Sequence, residues 1–374
     1  MNAPQRSAWI DIDQSKLRKN LKLIRKEIPA EVKYLCVVKD DAYGHGTANV
    51  AKLAMEMGAW GLGVSTLDEA LEIRDAGIDT APILLFYERH PSELEYCSER
   101  GITICTGNPD TVSKMCQIAD RMGRSTPLHI KINTGMNRYG VRWDSAMPIL
   151  RQASANRSLA GVMTHFAKSY SQDKTFSNLQ FERFSGVLKE MDRTMMSSGI
   201  RHACNSGGFL NLGNAHLDMV RSGILYTGVT PFSCRKIAGL QSVMSVKARI
   251  VAIQQLQVGD VVGYGMNFTA HTPRRIAVLP FGYGDGYPRV CNEGRVLIHG
   301  ASAPIIGGNS MDSTMVDITD IPQAHLWDTA TVMGMSDVGP DKISVYEIAK
   351  LTGSVTYDVF TKFTLRMKRV LVGE

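Results

Sequence analysis

The first 230 or so residues alternate between short apolar or β-branched runs and longer stretches with helical periodicity, and no other feature of the sequence limits the fold as strongly. Apolar strands that alternate with amphipathic helices are typical of a parallel sheet, because its strands are buried on both faces. Helical patterns include 65–77, where Ser65 and Asp68 predict the N-terminal cap, and 177–191. We interpret eight runs as strands: YLCVV (34–38), WGLGV (60–64), ILLF (83–86), ITICT (102–106), LHIKI (128–132), LAGVMTHF (159–166), RHACN (201–205) and MVRSGI (219–224). Eight such units predict an α/β fold of the (β/α)8 TIM-barrel type, and an open doubly wound sheet is the alternative.

The sequence changes character near residue 235. From Ser242 onward it is rich in valine, isoleucine, glycine and turn residues, which predicts a mostly-β C-terminal domain. The one helix that we expect there begins after Ser344, where SVYE forms a capping box. We therefore predict a barrel over residues 1–235 and a mostly-β domain over residues 236–374.

Composition and charge argue against several classes of partner. The net charge is +6, but the lysines and arginines are scattered, which favours a mildly basic surface over a nucleic-acid partner. No stretch approaches the run of about 18 apolar residues that spans a membrane. The N-terminus, MNAPQRSAWIDID, lacks the apolar core of an export signal, so we expect a cytoplasmic protein, although a processed periplasmic form would look the same. Seven cysteines without a CxxC motif indicate free thiols and no metal site.

Lys39 stands at the carboxyl end of the first buried strand, within YLCVVKDDAYGHG (34–46). Chemistry in parallel barrels takes place at the carboxyl ends of the strands. Burial lowers the pKa of a lysine from its usual value of about 10.4, which makes the amine a nucleophile. The alternative is a structural lysine that pairs with Asp40 or Asp41.

Two turns at the end of the barrel sequence resemble a phosphate site. The seventh strand ends in Asn-Ser-Gly-Gly (205–208), and the eighth carries Arg-Ser-Gly-Ile (221–224). The loops after the last two strands of such barrels often bind phosphate, and glycine and serine suit close approach and hydrogen bonding. Each segment could also be an ordinary turn. Together with a strand-end lysine, they suggest pyridoxal 5'-phosphate as the cofactor.

Nine motifs in order resemble those of the alanine racemases, which are fold type III pyridoxal-phosphate enzymes. The resemblance covers essentially the whole chain. The motifs are VVKDDAYGHG (37–46), KINTGMNRYG (131–140), MTHF (163–166), CNSGG (204–208), MVRSGILYTG (219–228), GYGMNF (263–268), GYGDGY (282–287), SMDSTMVD (310–317) and TYD (356–358). The resemblance implies an amino-acid racemase that interconverts L- and D-alanine, either for peptidoglycan or for D-alanine catabolism.

The resemblance also implies a role for individual residues. Racemisation removes a proton from one face of the α-carbon and delivers one to the other, and the family's two bases match Lys39, which also holds the cofactor as a Schiff base, and Tyr264. The other implied assignments are catalytic support by His165, Arg221 and Asp312; cofactor binding by Tyr43, Ser206, Arg221, Gly223, Ile224 and Tyr357; substrate binding by Arg138, Met311 and Tyr283; and carbamylation of Lys131.

The same resemblance implies a homodimer with shared active sites, because in the family Tyr264, Met311 and Asp312 enter the other subunit's site. The sequence departs from the family pattern at Asp40-Asp41, at GGNSMD, which lacks the usual arginine, at Phe268, and at Arg366-Met367-Lys368-Arg369. These departures leave open a broader racemase that accepts serine, lysine or arginine. A fold type III decarboxylase is a further alternative, although Tyr264 and Arg221 fit racemisation better. A non-catalytic pyridoxal-phosphate-binding protein would resemble the barrel alone.

Overall fold

The computed structural model of the protein describes residues 6–373. The strands are, in chain order, β1 (Ala8–Asp13), β2 (Lys33–Val37), β3 (Gly61–Val64), β4 (Ile83–Leu85), β5 (Ile102–Thr106), β6 (Leu128–Asn133), β7 (Val141–Arg142), β8 (Leu159–Met163), β9 (Ile200–His202), β10 (Met219–Ser222), β11 (Met244–Arg249), β12 (Ala252–Leu256), β13 (Val261–Val262), β14 (Phe268–Thr269), β15 (Arg274–Leu279), β16 (Arg295–Ile298), β17 (Ala301–Pro304), β18 (Thr314–Asp317), β19 (Thr329–Met335), β20 (Lys342–Ile343) and β21 (Lys368–Val372).

The helices follow the same chain order. They are α1 (Gln14–Glu27), α2 (Lys39–Gly44), α3 (Thr47–Glu56), α4 (Leu67–Asp75), α5 (Leu94–Glu99), α6 (Pro109–Met122), α7 (Met147–Ala155), α8 (Thr175–Arg193), α9 (Ser206–Asn211), α10 (Val345–Leu351) and α11 (Thr356–Lys362). Within residues 6–373, no helix combines the length and the apolar composition needed to cross a membrane. All seven cysteines are free thiols, as the sequence predicts.

The chain divides into two compact units. The barrel unit comprises residues 17–42 and 46–241, and the β unit comprises residues 6–16, 43–45 and 242–373. The division at 241/242 lies close to the boundary predicted from the sequence. The predicted range 1–235 differs from the structure at its start, because β1 pairs with β11 and β21 of the β unit.

The barrel unit is a (β/α)8 barrel. Its parallel strands run in the order β10-β2-β3-β4-β5-β6-β8-β9, with β7 beside β6. Two backbone hydrogen bonds, from Asp218 N–H to the Arg201 carbonyl (3.0 Å) and from Arg221 N–H to the Cys204 carbonyl (3.0 Å), join the β10 and β9 segments. All eight predicted strands are present and the fold class is confirmed, whereas an open sheet would leave the two edge strands apart.

The barrel contains a buried apolar cluster. Leu35, Leu84, Cys105, Met163 and Met219, from five different strands, form one buried cluster. Strands such as β3 and β4 are buried along their whole length, which is why they read as continuous apolar runs.

The β unit contains two sheets and a short hairpin. One sheet runs β17-β16-β19-β11-β1-β21 with β20 beside β19, the second runs β12-β15-β18, and β13 pairs with β14. Ser344 caps α10 by accepting a hydrogen bond from Glu347 N–H (3.2 Å). This is one half of the predicted capping box, and the Glu347 carboxylate instead accepts a hydrogen bond from Arg295 (2.8 Å). The expectation of a single helix is wrong, because α11 follows it. The β-branched residues of α11 favour a strand, but burial of Val359 and Phe360 outweighs that weak preference.

Candidate active site

Lys39 begins α2, which follows β2 and is a single left-handed helical turn. The four residues 40–43, none of them glycine, have φ angles of 50–55°. A left-handed helical conformation costs roughly 1–2 kcal/mol per residue for L-amino acids, so surrounding contacts must stabilise this turn. Two of them are backbone hydrogen bonds, from Ala42 N–H to the Val38 carbonyl (3.0 Å) and from Gly46 N–H to the Asp41 carbonyl (2.9 Å).

Glu69 of α4 also stabilises the turn. Its carboxylate accepts hydrogen bonds from the backbone N–H groups of Asp40 (2.6 Å), Ser65 (2.8 Å) and Thr66 (3.1 Å). The cap of α4 is therefore Thr66 with Glu69, and the prediction of Ser65 with Asp68 is wrong by one residue. The same carboxylate that caps α4 thus fixes the backbone beside Lys39.

The Lys39 side chain reaches a partly exposed position. It is 30% exposed, and its ammonium nitrogen lies 3.2 Å from the Asp40 carboxylate. This ion pair is the one expected for a structural lysine. Because the side chain is partly exposed, the amine is also accessible to other molecules, as a nucleophile must be.

Arg221 on β10 is a deeply buried cation of the site. Its Nη1 lies 2.8 Å from His202 Nδ1, and its Nη2 donates to the carbonyls of Thr164 (2.8 Å) and Ala203 (3.0 Å). His165, which follows β8, lies beside the same Nη2 at 3.4 Å. Burial lowers the pKa of Arg221 to about 10, so the guanidinium stays charged at neutral pH.

The tautomers of two buried histidines follow from this arrangement. Arginine only donates, so His202 Nδ1 must accept, and the proton of His202 resides on Nε2. That Nε2 lies 2.8 Å from His129 Nδ1, to which it donates. Burial, reinforced by the Arg221 charge, holds the pKa of His202 well below its usual range and lowers that of His129 to about 3. Both imidazoles are therefore neutral, and the same two causes depress the pKa of His165.

The turns after β9 and β10 meet through hydroxyl groups. Ser206 Oγ lies 3.1 Å from Ser222 Oγ and accepts a hydrogen bond from Gly223 N–H (3.3 Å). Ile224 follows directly and begins a 3-10 turn. Three of the residues predicted to bind phosphate, Ser206, Gly223 and Ile224, are thus brought together.

Lys131 and Arg138 lie against the same aromatic ring. The Lys131 ammonium is 5.5 Å from the centre of the Tyr139 ring, and the Arg138 guanidinium is 5.8 Å from it. Lys131 is buried, and the one hydrogen bond that it donates to residues 6–373 is a long one, to the Ile132 carbonyl (3.3 Å). Burial lowers the pKa of Lys131 to about 7, and nearby Arg221 and Arg138 act in the same direction.

The β unit carries the remaining predicted residues. The rings of Tyr43 and Tyr357 lie 6.1 Å apart. The turn that carries Tyr283 pairs with the segment that carries Met311 and Asp312, since Gly284 N–H donates to the Met311 carbonyl (2.8 Å). Tyr264 projects from a 3-10 turn (Tyr264–Met266) and is 82% exposed.

Comparisons with known proteins cover both units. Residues 12–231 match the N-terminal domain of alanine racemase, and residues 243–371 match its C-terminal domain. The chain is 34% identical to alanine racemase from Methanococcus maripaludis over 97% of this chain and 98% of the relative. It is 36% identical to alanine racemase from Syntrophobacter fumaroxidans over 94% of each chain. The chain belongs to the alanine racemase family.

Solved alanine racemase structures agree with this assignment. The Clostridium difficile 630 enzyme has a TM-score of 0.92 at 28% identity and covers 99% of this chain and 97% of its own. The Bacillus anthracis enzyme with bound L-Ala-P has a TM-score of 0.90 at 29% identity, covering 99% and 96%. The family prediction made from the nine motifs is confirmed.

The motifs did not reveal every polar group around the candidate site. Glu69, His129 and His202 were missed. His129 and His202 lie in runs predicted as buried strands, and a histidine on such a strand needs a hydrogen-bond partner, which is the signal that could have identified them. For Glu69 the signal was its spacing from Thr66 in a capping box.

Proposed function

We propose that the protein is a pyridoxal-phosphate-dependent racemase that interconverts L- and D-alanine. The observation that carries the proposal is the convergence of three neighbouring strands. β10 pairs with β2 and is hydrogen-bonded to the β9 segment. Their carboxyl ends therefore bring the Lys39 amine, the Ser206–Gly223 turns and the Arg221 guanidinium to one edge of the barrel. Sequence relatives named alanine racemase over nearly the whole chain support the same reaction.

The residues at this edge fit the cofactor. The hydroxyl of Ser206, with the backbone N–H groups of Gly223 and Ile224, provides donors for a phosphate, and Tyr43 and Tyr357 are the further phosphate residues that we propose. Lys39 would hold the aldehyde carbon. When bound, pyridoxal phosphate supplies the electron sink that makes the α-proton of an amino acid acidic.

Arg221 favours racemisation over decarboxylation. Its protons are directed by His202, Thr164 and Ala203, and it remains charged at neutral pH. A guanidinium can donate a hydrogen bond to the cofactor's ring nitrogen but does not give up its proton. A weaker electron sink limits side reactions, whereas a decarboxylase would be expected to place a carboxylate there.

Lys39 and Tyr264 are the two bases in our proposal. Inversion at the α-carbon needs one group to remove a proton and another to return one on the opposite face. A tyrosine of ordinary pKa is a poor base, so Tyr264 needs a neighbouring cation to favour its phenolate. We propose that the Arg221 guanidinium supplies that charge and that the neutral His165 supports it. We propose that Asp312 assists catalysis by these two bases.

Exposure of the β-unit residues supports a homodimer. Tyr264 is 82%, Met266 67% and Met311 54% exposed. Large exposed apolar groups are common at protein interfaces. We propose that Tyr264, Met311 and Asp312 complete the active site of a second copy, with Tyr283 at the entrance and the Met311 N–H near the substrate carboxylate.

Lys131 has the properties needed for carbamylation. Its lowered pKa leaves a large neutral fraction at neutral pH, and a neutral amine attacks the carbon of CO2 with loss of a proton to give a carbamate anion. That anion would replace a repulsive lysine–arginine pair with an attractive one. It would orient Arg138, which we propose binds the substrate carboxylate.

Racemisation of L-alanine is the test of the proposed function. Purified protein with pyridoxal phosphate should convert L-alanine to an equal mixture of L- and D-alanine. The reaction is monitored by the loss of the circular dichroism of L-alanine, and the Lys39→Ala variant should be inactive. A panel with L-serine, L-lysine and L-arginine distinguishes the broad racemase, and CO2 release distinguishes the decarboxylase. Retained optical activity with a cofactor-loaded protein would refute the proposal.

The cellular role belongs to the same proposal. An enzyme that makes D-alanine supplies peptidoglycan synthesis, and we propose this role in the cytoplasm. Growth of a strain that lacks its own alanine racemases, with and without added D-alanine, tests it. Continued dependence on D-alanine while the protein is produced in soluble, loaded form would contradict the role.

A further inference from the structure

Tyr87 has a strained backbone at the carboxyl end of the barrel. It follows β4 and has a φ angle of 69°. Positive φ is a clear outlier for a bulky aromatic residue, whereas glycine or asparagine would adopt it readily. Such strain persists only where other contacts of the side chain or backbone maintain it.

The ring contacts of Tyr87 with residues 6–373 involve one short segment, 138–139. The Arg138 guanidinium lies 5.3 Å from the centre of the Tyr87 ring and 5.8 Å from the centre of the Tyr139 ring. The two tyrosine rings are themselves 4.7 Å apart at 42°. Arg138 therefore rests on a platform of two rings, one of them supplied by Tyr87.

The residue after Tyr87 fixes the other side of the same segment. The Glu88 carboxylate accepts hydrogen bonds from Gly107 N–H (2.8 Å) and from the Thr106 hydroxyl (2.6 Å). Gly107 in turn packs on Gly140, since a Cβ at Gly107 would lie 2.4 Å from the Gly140 Cα. Residues 87–88 thus hold the segment 138–140 from two directions.

Arg138 is otherwise available to an anion. In the part of the chain that the structure describes, its guanidinium contacts these ring faces and forms no ion pair. A cation stacked on aromatic faces keeps its N–H groups free at the edge, where they can form paired hydrogen bonds with a carboxylate. The ring platform therefore sets the direction in which those groups point.

We infer that Tyr87 is a positioning residue that orients Arg138 for the substrate carboxylate. The inference rests on the carboxylate-binding role of Arg138 in the proposed function. Tyr87 acts through its ring and not through its hydroxyl. It should therefore influence binding of the carboxylate group, and not the proton transfers at the α-carbon.

The test uses propionate, a carboxylate of substrate size that lacks the amine, with the cofactor-loaded protein. Tyr87→Leu and Tyr87→Asn should weaken propionate binding, measured by titration calorimetry, by about two- to fivefold, the loss expected for one cation–π contact. The KM for L-alanine and for D-alanine should rise by the same factor with kcat unchanged. Tyr87→Phe, which keeps the ring, should match the wild type, and Arg138→Leu should abolish propionate binding.

The variants separate the possible failures. Asparagine tolerates the left-handed backbone, so Tyr87→Asn remains informative if the leucine variant does not fold. Wild-type affinity in the leucine or asparagine variant would overturn the inference, as would an equal loss in Tyr87→Phe, a fall in kcat alone, or propionate binding that survives Arg138→Leu. Wild-type protein that binds propionate through Arg138 but does not racemise alanine would overturn only the proposed reaction. A folded wild type that does neither would overturn both.

Discussion

Replacing Lys131 with methionine should remove a pH-dependent loss of stability that burial of the lysine imposes. Burial lowers the pKa of Lys131 from 10.5 to about 7. That difference corresponds to roughly 5 kcal/mol between the charged and neutral forms in the folded protein. Methionine has a similar shape and does not titrate, so the comparison isolates this one group.

The sign of this pH dependence follows from the number of protons that the folded and unfolded states bind. In the unfolded chain Lys131 keeps its proton up to about pH 10.5, whereas in the folded protein it loses it above about pH 7. Between these values the unfolded state binds more protons, so the free energy of unfolding rises with pH. Relative to Lys131→Met, the wild type should therefore gain about 2 kcal/mol between pH 7 and pH 9.

Urea denaturation in CO2-free buffers at pH 7, 8 and 9 measures this gain. Protein concentration and cofactor are held constant, because both alter apparent stability. Other titrating groups are common to the two proteins and cancel. Readmission of CO2 at pH 8 should stabilise the wild type but not the methionine variant. Parallel pH dependences for the two proteins would refute the assignment of a depressed pKa to Lys131.

Three further substitutions test the surroundings of the site. Glu69→Ala should lower the free energy of unfolding by about 2 kcal/mol, because three backbone N–H groups lose a charged acceptor. It should also reduce borohydride trapping of the cofactor on Lys39. Glu69→Gln, which keeps one acceptor, should lose less stability, and equal losses in the two variants would contradict the account. Gly161→Ala should destabilise by about 1–3 kcal/mol in urea denaturation, because its Cβ would lie 2.7 Å from the His129 ring. Its matched control, Gly186→Ala in the middle of α8, meets no atom within 4 Å and should be stabilising by about 0.5–1 kcal/mol; similar effects at both positions would argue against the packing of His129. Arg221→Glu should raise the yield of pyruvate from transamination per racemisation turnover, and an unchanged ratio would count against the role of Arg221 at the ring nitrogen.

The barrel could be predicted because its physical signal is local. Most of the buried parallel strands are apolar runs, and all eight segments that we interpret as strands are strands in the structure. The place of β1 could not be predicted in this way. Its alternating pattern fits a half-buried strand, but only long-range pairing with β11 and β21 assigns it to the β unit.

The sequence indicated those residues of the candidate site whose chemistry is fixed by a motif. It did not reveal residues whose role depends on neighbours that are distant in the sequence. Lys39 and Arg221 follow from strand ends and family motifs. Residues 40–43 contain no glycine from which a left-handed turn could be predicted. Glu69, which stabilises this turn, lies 29 residues beyond Asp40. The Tyr87 platform is similar, because its stacking on Arg138 joins two loops that are distant in the sequence.

Mixing two inactive variants tests the central claim that Lys39 and Tyr264 act together from different subunits. Lys39→Ala and Tyr264→Ala proteins are combined, and subunit exchange is verified by mass. Each mixed dimer should contain one intact site, so an equal mixture should recover about one quarter of the wild-type activity per subunit. Absence of recovered racemisation in verified mixed dimers would contradict the account.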